Sequence, residues 1–253
     1  MKEIQRLLSF ARRAIDDYSM IEEGDRIAVG ISGGKDSLAL LQTLAELRRF
    51  YPKSFSLAAV TVDMGFPDTD FSKIAAFAER LEVPYRLVRT DIANIIFNVR
   101  RESNPCSLCA KMRRGALHEA AREMNCNRVA LGHHFDDVVE TLMLNLMFEG
   151  RFGCFSPVTY LSNTDLYLIR PLLYAQEKDV LYFVRHADLP IMKSPCPEDH
   201  NTEREKMKLL LAQLEEKNKG LRHRLFGALC KAEQDGYRPQ HHLQEKTTRK
   251  DSQ

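Results

Sequence analysis

Short apolar runs alternate with segments of helical spacing along most of the chain. Near-continuous apolar runs, typical of buried parallel strands, occupy residues 26–31, 55–62, 84–88, 128–131 and 166–169. Apolar residues recur every three or four positions over residues 37–51, 70–81, 91–99, 110–125 and 176–187. This alternation predicts an α/β fold with a doubly wound parallel sheet.

Helical segments flank this alternating region. Residues 1–24 are predicted to form an amphipathic helix with an apolar face of Ile4, Leu7, Leu8, Ala11 and Ala14. The central α/β domain is expected over residues 25–200. A charged helical segment is predicted at 201–238, with an apolar stripe of Leu209, Leu210, Leu214, Leu221, Leu225 and Leu229. The polar tail, residues 239–253, has no apolar face and is expected to be disordered.

Composition narrows the classes of protein that remain. A chain of 253 residues, 44% apolar and 28% charged, suits one large α/β domain with appendages. No run approaches the roughly 18 apolar residues of a membrane span, and the N-terminus does not resemble a signal peptide, so we expect a cytosolic, cytoplasmic protein that contacts no membrane. Six cysteines in that compartment indicate reduced, metal-binding or catalytic thiols rather than disulfides. The net charge of +2 is too small to indicate nucleic-acid binding by itself.

A glycine-rich loop stands between the first predicted strand and the helix after it. It consists of Ser32, Gly33, Gly34, Lys35, Asp36 and Ser37. Gly33 and Gly34 can adopt positive φ and let the backbone approach a ligand closely. The N-terminus of the next helix presents free N–H groups and partial positive charge, and Lys35 adds a full charge. The loop is therefore predicted to bind phosphate, although it matches neither the P-loop nor the dinucleotide-binding pattern.

Asp63 and Met64 stand at the carboxyl end of the second predicted strand. In open parallel sheets, ligands bind outside the carboxyl ends of the strands. The two residues are thus placed to contact the adenosine half of a nucleotide. A simple loop cap is an equally good interpretation of Asp63 alone.

A polar cluster follows the fourth predicted strand at the same edge of the sheet. Gly132, His133, His134, Phe135, Asp136 and Asp137 open another helix. Asp136 and Asp137 can hold Mg²⁺, which prefers carboxylate and phosphate oxygens. One of the two can serve instead as a base or as the N-cap of the helix.

Cys106 and Cys109 form a CxxC motif directly before the helix predicted at 110–125. Zinc, thioredoxin-like redox chemistry and an iron–sulfur cluster are the three interpretations of a single CxxC. The sequence contains no second CxxC, but Cys196 stands between two prolines in a predicted loop. Cys126, Cys154 and Cys230 are interpreted as core or bystander thiols.

Lys111, Arg113 and Arg114 form a basic turn just after the CxxC motif. The planar guanidinium group of arginine suits phosphate. A solvated helix face is the alternative interpretation of this turn.

Taken together, these motifs resemble the tRNA 2-thiocytidine synthetase (TtcA) family of PP-loop ATP pyrophosphatases. The matching stretches are SGGKDS at 32–37, CSLC at 106–109 with KMRRGAL after it, LGHHFDD at 131–137 with ETLMLNL after it, IRPL at 169–172 and SPC at 194–196. The central domain would then be a PP-loop ATPase and sulfurtransferase domain. The CxxC with a distant third cysteine is what separates iron–sulfur sulfurtransferases from other PP-loop enzymes.

The resemblance implies three ligand sites. Cys106, Cys109 and Cys196 would hold a [4Fe–4S] cluster whose open iron carries sulfur. Asp36, Asp136 and Asp137 are the candidates for Mg²⁺. ATP would contact Ser32, Gly33, Gly34, Lys35, Asp36, Ser37, Asp63, Met64, Gly132, His133 and Asp137.

The implied reaction adenylates the C2 carbonyl of a tRNA base, a cytidine of the anticodon loop, and replaces its oxygen with sulfur. Lys35, Arg113, Asp137 and the three cysteines would be catalytic, while Lys111, Arg113 and Arg114 would contact RNA. Implied partners are tRNA and a sulfur donor such as a cysteine desulfurase or free sulfide, and a homodimer is allowed. Two alternatives remain open: a PP-loop iron–sulfur enzyme acting on a small molecule or another non-tRNA acceptor, and a structural protein whose cysteines bind zinc.

Overall fold

A six-stranded sheet forms the centre of the computed structural model, which describes residues 3–100, 105–193, 195–197 and 203–239. Its strands are β1 (Asp25–Gly30), β2 (Phe55–Asp63), β3 (Tyr85–Arg89), β4 (Arg128–Ala130), β5 (Val158–Leu161) and β6 (Leu166–Ile169). They lie in the order β3-β2-β1-β4-β6-β5. The order reverses between β1 and β4, so the crevice of a doubly wound sheet opens there.

The sheet is parallel except at one edge. β1 pairs with both β2 and β4, with Val29 opposite Ala59 on one side and Ala130 on the other. β5 runs antiparallel to β6. The predicted α/β doubly wound class is confirmed, and the antiparallel edge strand β5 was not predicted.

Helices cover both faces of this sheet. Their bounds are α1 (Gln5–Asp17), α2 (Lys35–Leu47), α3 (Ser72–Arg80), α4 (Ile92–Asn94), α5 (Pro105–Glu123), α6 (Phe135–Leu144), α7 (Glu177–His186), α8 (Glu203–Lys217) and α9 (Leu221–Ala232). Single π-helical segments extend α4 over Ile95–Arg100 and α6 over Asn145–Glu149. A 3₁₀ turn, Gln234–Gly236, follows α9.

Alternating side chains along the strands divide the core into two layers. Ile27 and Val29 of β1 belong to the large apolar cluster, which also contains residues of α1, α2, α3, α6 and α7. Ala28, between them, faces the opposite side and packs with Leu117 and Ala121 of α5. The two-residue period of a strand thus produces a three-layer arrangement of helices, sheet and helix.

The N-terminal helix is shorter than predicted, since it spans Gln5–Asp17 rather than residues 1–24, and the C-terminal segment also differs from the prediction. The predicted apolar face of α1 is buried throughout. The single C-terminal helical segment is divided into α8 and α9 at Gly220, which has a φ of +80°. Within α8, Leu209 of the predicted stripe is 61% exposed, and the buried face instead contains Met207 and Leu211.

The polar C-terminal tail and the membrane-spanning capacity of the helices were also subjects of prediction. Within the tail predicted to be disordered, residues 240–253 lie outside the described residues. Among the helices that are described, none has both the length and the apolar character needed to cross a bilayer.

Candidate active site

The glycine-rich loop connects the carboxyl end of β1 to the first turn of α2 and is closed by its own hydroxyl groups. The Ser37 hydroxyl donates to the Gly34 carbonyl at 2.9 Å, and the Ser32 amide donates to that hydroxyl at 3.2 Å. Gly33 adopts a φ of +83°, as predicted, whereas Gly34 has a φ of −78° and caps α2 in an extended conformation. The N-terminus of α2 therefore opens from a preformed loop, the geometry that suits a phosphate group.

Gly132 brings the second polar motif against this loop. A Cβ atom at Gly132 would lie only 3.0 Å from the Asp36 carbonyl carbon and 3.1 Å from the Ser37 nitrogen. The loop after β4 therefore touches the backbone of the first turn of α2, which a larger residue would prevent. His134 places Nε2 at 3.8 Å from Oδ1 of Asp36 across the same gap.

Both carboxylates of the second motif have partners. Asp137 accepts a bond from the His134 amide at 2.9 Å, and its other oxygen pairs with Arg204 at 3.0 Å. Asp136 accepts a bond from the Glu177 amide at 2.7 Å and forms an ion pair with Arg222. The N-cap residue of α6 is His134, and Asp137 completes a capping box from the third helical position, so neither aspartate is itself the N-cap. Among the described residues, no group of three or more His, Cys, Asp or Glu side chains is arranged to hold a metal ion, so the Mg²⁺ assignment stays a prediction.

Burial and charge give the titratable groups of this motif distinct protonation states. Burial acts to raise the pKa of Asp137, but His134, His133 and Arg204 outweigh it and hold that pKa below its ordinary value. Burial lowers the pKa of His133 to about 4, and Arg170 and Arg204 act in the same direction. At neutral pH, Asp137 is therefore ionised and His133 is neutral.

His133 has an unused hydrogen-bonding atom. Its ring stacks against Phe155 with centroids 4.8 Å apart, and Nδ1 is buried without a partner among the described residues. Arg170 also packs on this stack: its guanidinium lies over the Phe155 ring and donates to the Thr159 hydroxyl at 3.3 Å. The glycine-rich loop at residues 32–37 is called the phosphate loop below, after its predicted ligand. A buried nitrogen without a partner in the neighbouring motif is a candidate contact for that ligand.

A chain of ion pairs crosses the phosphate loop. Lys35 Nζ lies 2.9 Å from Oδ2 of Asp36 and 3.2 Å from Oε1 of Glu177 at the start of α7. Lys208 of α8 lies 2.8 Å from Oε2 of the same glutamate. Burial acts to lower the pKa of Lys35, but the two carboxylates outweigh it and raise that pKa. Lys35 is thus a full positive charge at the mouth of the loop.

Asp63 and Met64 are found at the carboxyl end of β2, and their polar groups already have local partners. Asp63 Oδ1 accepts the Gly65 amide at 2.9 Å, and the Met64 carbonyl accepts the Ala93 amide at 2.8 Å. The loop-cap interpretation of Asp63 therefore holds. Contact of either side chain with adenosine stays a prediction.

The CxxC motif lies inside a helix, which corrects the predicted placement before one. α5 begins at Pro105, five residues earlier than expected, so Cys106 and Cys109 stand three residues apart in its first turn. Residues at this spacing share one helix face. The Cys106 thiol is exposed and the Cys109 thiol is partly buried.

Cys196 follows a segment that crosses the phosphate loop. The Met192 amide donates to the Gly33 carbonyl at 3.0 Å, four residues before Cys196. Burial raises the pKa of Cys109, Arg113 opposes this, and the thiols of Cys196 and Cys106 add to the rise. Cys106 and Cys196 therefore each lie near enough to Cys109 to affect its charge state. None of the six cysteines, each of which lies in the described part of the chain, forms a disulfide bond.

The other three thiols are buried or partly buried, whereas the basic turn after the CxxC motif is exposed. Cys126 and Cys154 are buried and Cys230 is partly buried, in line with core or bystander thiols. Lys111, Arg113 and Arg114 are exposed on α5. Arg113 acts on the pKa of Cys109, so it lies beside the thiols, while the other two can be either a solvated face or an RNA contact.

Four charged side chains at this site were not predicted to belong to it: Glu177, Arg204, Lys208 and Arg222. Glu177, Arg204 and Arg222 come from α7, α8 and α9, at least 40 residues after the aspartates they contact, and Lys208 of α8 joins the site through Glu177. Arg204 and Lys208 are four residues apart and so share a face of α8. That spacing is the one signal available in the sequence, and it does not identify their partners.

Comparison with known proteins adds a family and several relatives. Residues 5–215 match the PP-loop domain family ATP_bind_3. The chain is 44% identical over 220 residues to the tRNA-cytidine(32) 2-sulfurtransferase of Syntrophotalea carbinolica, covering 86% of this chain and 85% of that one. It is 40% identical over 220 residues to the enzyme of the same name from Geobacter sulfurreducens, covering 86% of each.

A solved structure is similar over most of the fold. It is the U34-tRNA thiolase NcsA from Methanococcus maripaludis with its [4Fe–4S] cluster. The TM-score is 0.70 at 26% sequence identity, and the match covers 86% of this chain and 75% of that one.

Proposed function

Because the chain belongs to the PP-loop family and groups with its tRNA-cytidine(32) 2-sulfurtransferases, we propose that it is an ATP-dependent tRNA sulfurtransferase that converts a cytidine of the anticodon loop to 2-thiocytidine. The observations that support this proposal are a contact between the glycine-rich loop and the segment that leads to Cys196, and the influence of Cys106 and Cys196 on Cys109. The Met192 amide bonds the Gly33 carbonyl, and both other thiols raise the pKa of Cys109. Activation of a base and delivery of sulfur can therefore occur at one place.

ATP binds, in this proposal, at the carboxyl edge of β1 and β4. The phosphates occupy the loop from Ser32 to Ser37, where the N-terminus of α2 and the Lys35 ammonium group attract them. His133 offers its unpartnered Nδ1, and Gly132 permits the close approach of the two loops. Asp63 and Met64 lie at the adjacent strand end and border the adenosine.

Mg²⁺ is proposed to enter with the nucleotide. This ion keeps several waters and takes one or two carboxylates together with substrate phosphates. Asp36 faces the loop, while Asp136 and Asp137 are occupied by Arg222 and Arg204. Each candidate ligand would therefore have to release a cation: Asp36 would release Lys35, Asp136 would release Arg222 and Asp137 would release Arg204.

The donor set fits a [4Fe–4S] cluster. Cys106, Cys109 and Cys196 are not consumed by disulfide bonds, and thiolate is the ligand that iron–sulfur clusters take. Bound by three thiolates, the cluster would supply an iron with an open position for sulfur.

The chain's own residues serve the two chemical steps of the reaction. The C2 oxygen of the base attacks the α-phosphate of ATP, the bond between the α- and β-phosphates breaks, and pyrophosphate leaves. Lys35 and the N–H groups of α2 stabilise the charge that develops on the departing group. Sulfur then forms its bond to C2 as the bond from C2 to the adenylated oxygen breaks, and AMP leaves.

Arg113 is proposed to serve both substrates. It is exposed and acts on Cys109, so its guanidinium can pair with the α-phosphate or an RNA phosphate beside the thiols. Lys111 and Arg114 extend the basic surface along α5 for the tRNA backbone. Asp137 is proposed to position the motif, since it completes the capping box of α6 and fixes His134.

Partners and location complete the proposal. The reaction needs a sulfur donor, such as a cysteine desulfurase or free sulfide, and takes place where tRNA is found, in the cytoplasm. A homodimer is compatible with this chemistry.

The test is mass spectrometry of tRNA nucleosides from cells with and without the gene. We expect 2-thiocytidine to disappear in its absence and to return with the wild-type chain or with Cys126→Ala, which alters a buried thiol away from the site. Lys35→Met and Cys196→Ala are expected not to restore it. Unchanged 2-thiocytidine after deletion would exclude the proposed function.

A further inference from the structure

We propose that Lys208 of α8 is a second phosphate-binding lysine of the ATP site, held in place by Glu177 until the nucleotide enters. The inference rests on the proposed ATP site and adds a residue to it. Lys208 lies outside each motif of the sequence and comes from the C-terminal helical segment, 173 positions after Lys35.

The geometry places the two lysines on one carboxylate. Oε1 of Glu177 accepts from Lys208 Nζ at 2.9 Å and lies 3.2 Å from Lys35 Nζ. The two ammonium groups are therefore neighbours, and Lys35 acts to lower the pKa of Lys208. Burial also lowers it, but Glu177 outweighs both effects and raises the pKa of Lys208, so this lysine is charged at neutral pH.

The Glu177 carboxylate occupies a position whose surroundings stabilise negative charge. Glu177 is the first residue of α7, and its carboxylate lies between two cations beside the N-terminus of α2. A triphosphate carries more charge and more acceptor oxygens than one carboxylate, so it competes well for the same ammonium groups. We infer that the β- and γ-phosphates displace Glu177 from the lysines when ATP binds.

A purely structural role is the alternative. In that case, Lys208 would only fasten α8 to α7, and its removal would weaken the fold without changing the relative affinity for phosphates. Lys206 provides a matched control on the same helix. It pairs with Glu203 at 2.6 Å, and its side chain is 68% exposed compared with 37% for Lys208.

The experiment is calorimetric titration of the holoprotein and of Lys208→Ala and Lys206→Ala with ATP, pyrophosphate and AMP. A lost hydrogen bond to a charged group predicts about tenfold or greater weakening of ATP and pyrophosphate by Lys208→Ala. AMP affinity is expected to stay within about twofold, and Lys206→Ala is expected to match the wild type for each of the three probes. ATP affinity of Lys208→Ala within about twofold of wild type, or equal weakening of AMP and ATP, would overturn the inference.

Glu177→Gln tests the exchange itself. Removing the competing charge while keeping the shape is expected to raise the affinity for pyrophosphate, because both lysines become available. A fall in that affinity would show that Glu177 positions the lysines rather than competing with phosphate, and would refute the exchange. Failure of the wild-type chain to bind ATP would instead overturn the proposed function together with this inference.

Discussion

Glu140 offers a direct test of the electrostatics beneath the second polar motif. It lies one turn after Asp136 on α6 and is only 4% exposed. Burial raises its pKa to about 7 and Asp137 adds to the rise, while Arg204 at 3.5 Å opposes it. The folded protein therefore holds a proton on Glu140 at pH values where an unfolded chain has lost it.

The sign of the effect on stability follows from this difference. An exposed glutamate has a pKa of 4.5, so between about pH 4.5 and pH 7 the folded state binds more protons than the unfolded state. Stability contributed by this group is complete below pH 4.5 and is lost as the pH rises through 7. The two pKa values differ by roughly two and a half units, which corresponds to ~3 kcal/mol above pH 7.

Replacing Glu140 with glutamine removes the free-energy cost of ionising a buried carboxyl group. The amide keeps an acceptor for Arg204, so we expect Glu140→Gln to stabilise the protein by ~2 kcal/mol at about pH 8.5 and by at most ~1 kcal/mol at about pH 5.5. Scanning fluorimetry of the holoprotein measures this, since each kcal/mol shifts the midpoint by about 2–4 °C in a chain of this size.

Glu149 supplies the matched control. It ends the π-helical extension of α6 with a 61% exposed side chain, so Glu149→Gln is expected to leave the midpoint unchanged at both pH values. A midpoint of Glu140→Gln that falls at about pH 8.5, or that shifts equally at both pH values, would refute the burial argument.

Two other substitutions test the thiol site and the loop contact. Cys196→Ala is expected to lower the iron and sulfide content of anaerobically purified protein to a small fraction of wild type, while Cys126→Ala retains it; an unchanged content in Cys196→Ala would refute the ligand assignment. Gly132→Ala pushes a methyl group into the Asp36 backbone, so we expect ~1–3 kcal/mol of destabilisation and weaker ATP binding, measured by urea unfolding and calorimetry. Gly115→Ala, whose methyl group meets open space within α5, is its control and is expected to stabilise by up to ~1 kcal/mol; a Gly132→Ala protein as stable as wild type would contradict the close packing.

Local spacing predicted the parts of the site that local backbone geometry forms. Gly33 stands in the positive-φ region at a strand-to-helix turn, and Gly132 touches the first turn of α2. Both positions follow from where apolar runs stop and helical spacing starts. The edge strand β5 was missed because it has only four residues, too few to show a clear apolar period, and it follows a loop rich in glycine.

The start of α5 was misplaced for an identifiable reason. The apolar spacing of that helix becomes clear only after the cysteines, where Leu117, Ala120 and Ala121 face the sheet. Pro105 is the first residue of the helix, a position that proline favours because its missing N–H is not needed there. Weighing that signal would have placed Cys106 and Cys109 on one helical face.

The ion pairs around the phosphate loop could not be predicted from the sequence, and they change how the C-terminal helices are understood. Arg204 and Arg222 neutralise Asp137 and Asp136 across the predicted boundary at 200/201, and Lys208 pairs with Glu177 across the same boundary. Breaking a well-buried pair costs about 3–5 kcal/mol, and less where one partner is as exposed as Arg204. These helices therefore supply the positive charges that balance the two aspartates. Without those charges, the carboxylates would repel a triphosphate that approaches the loop.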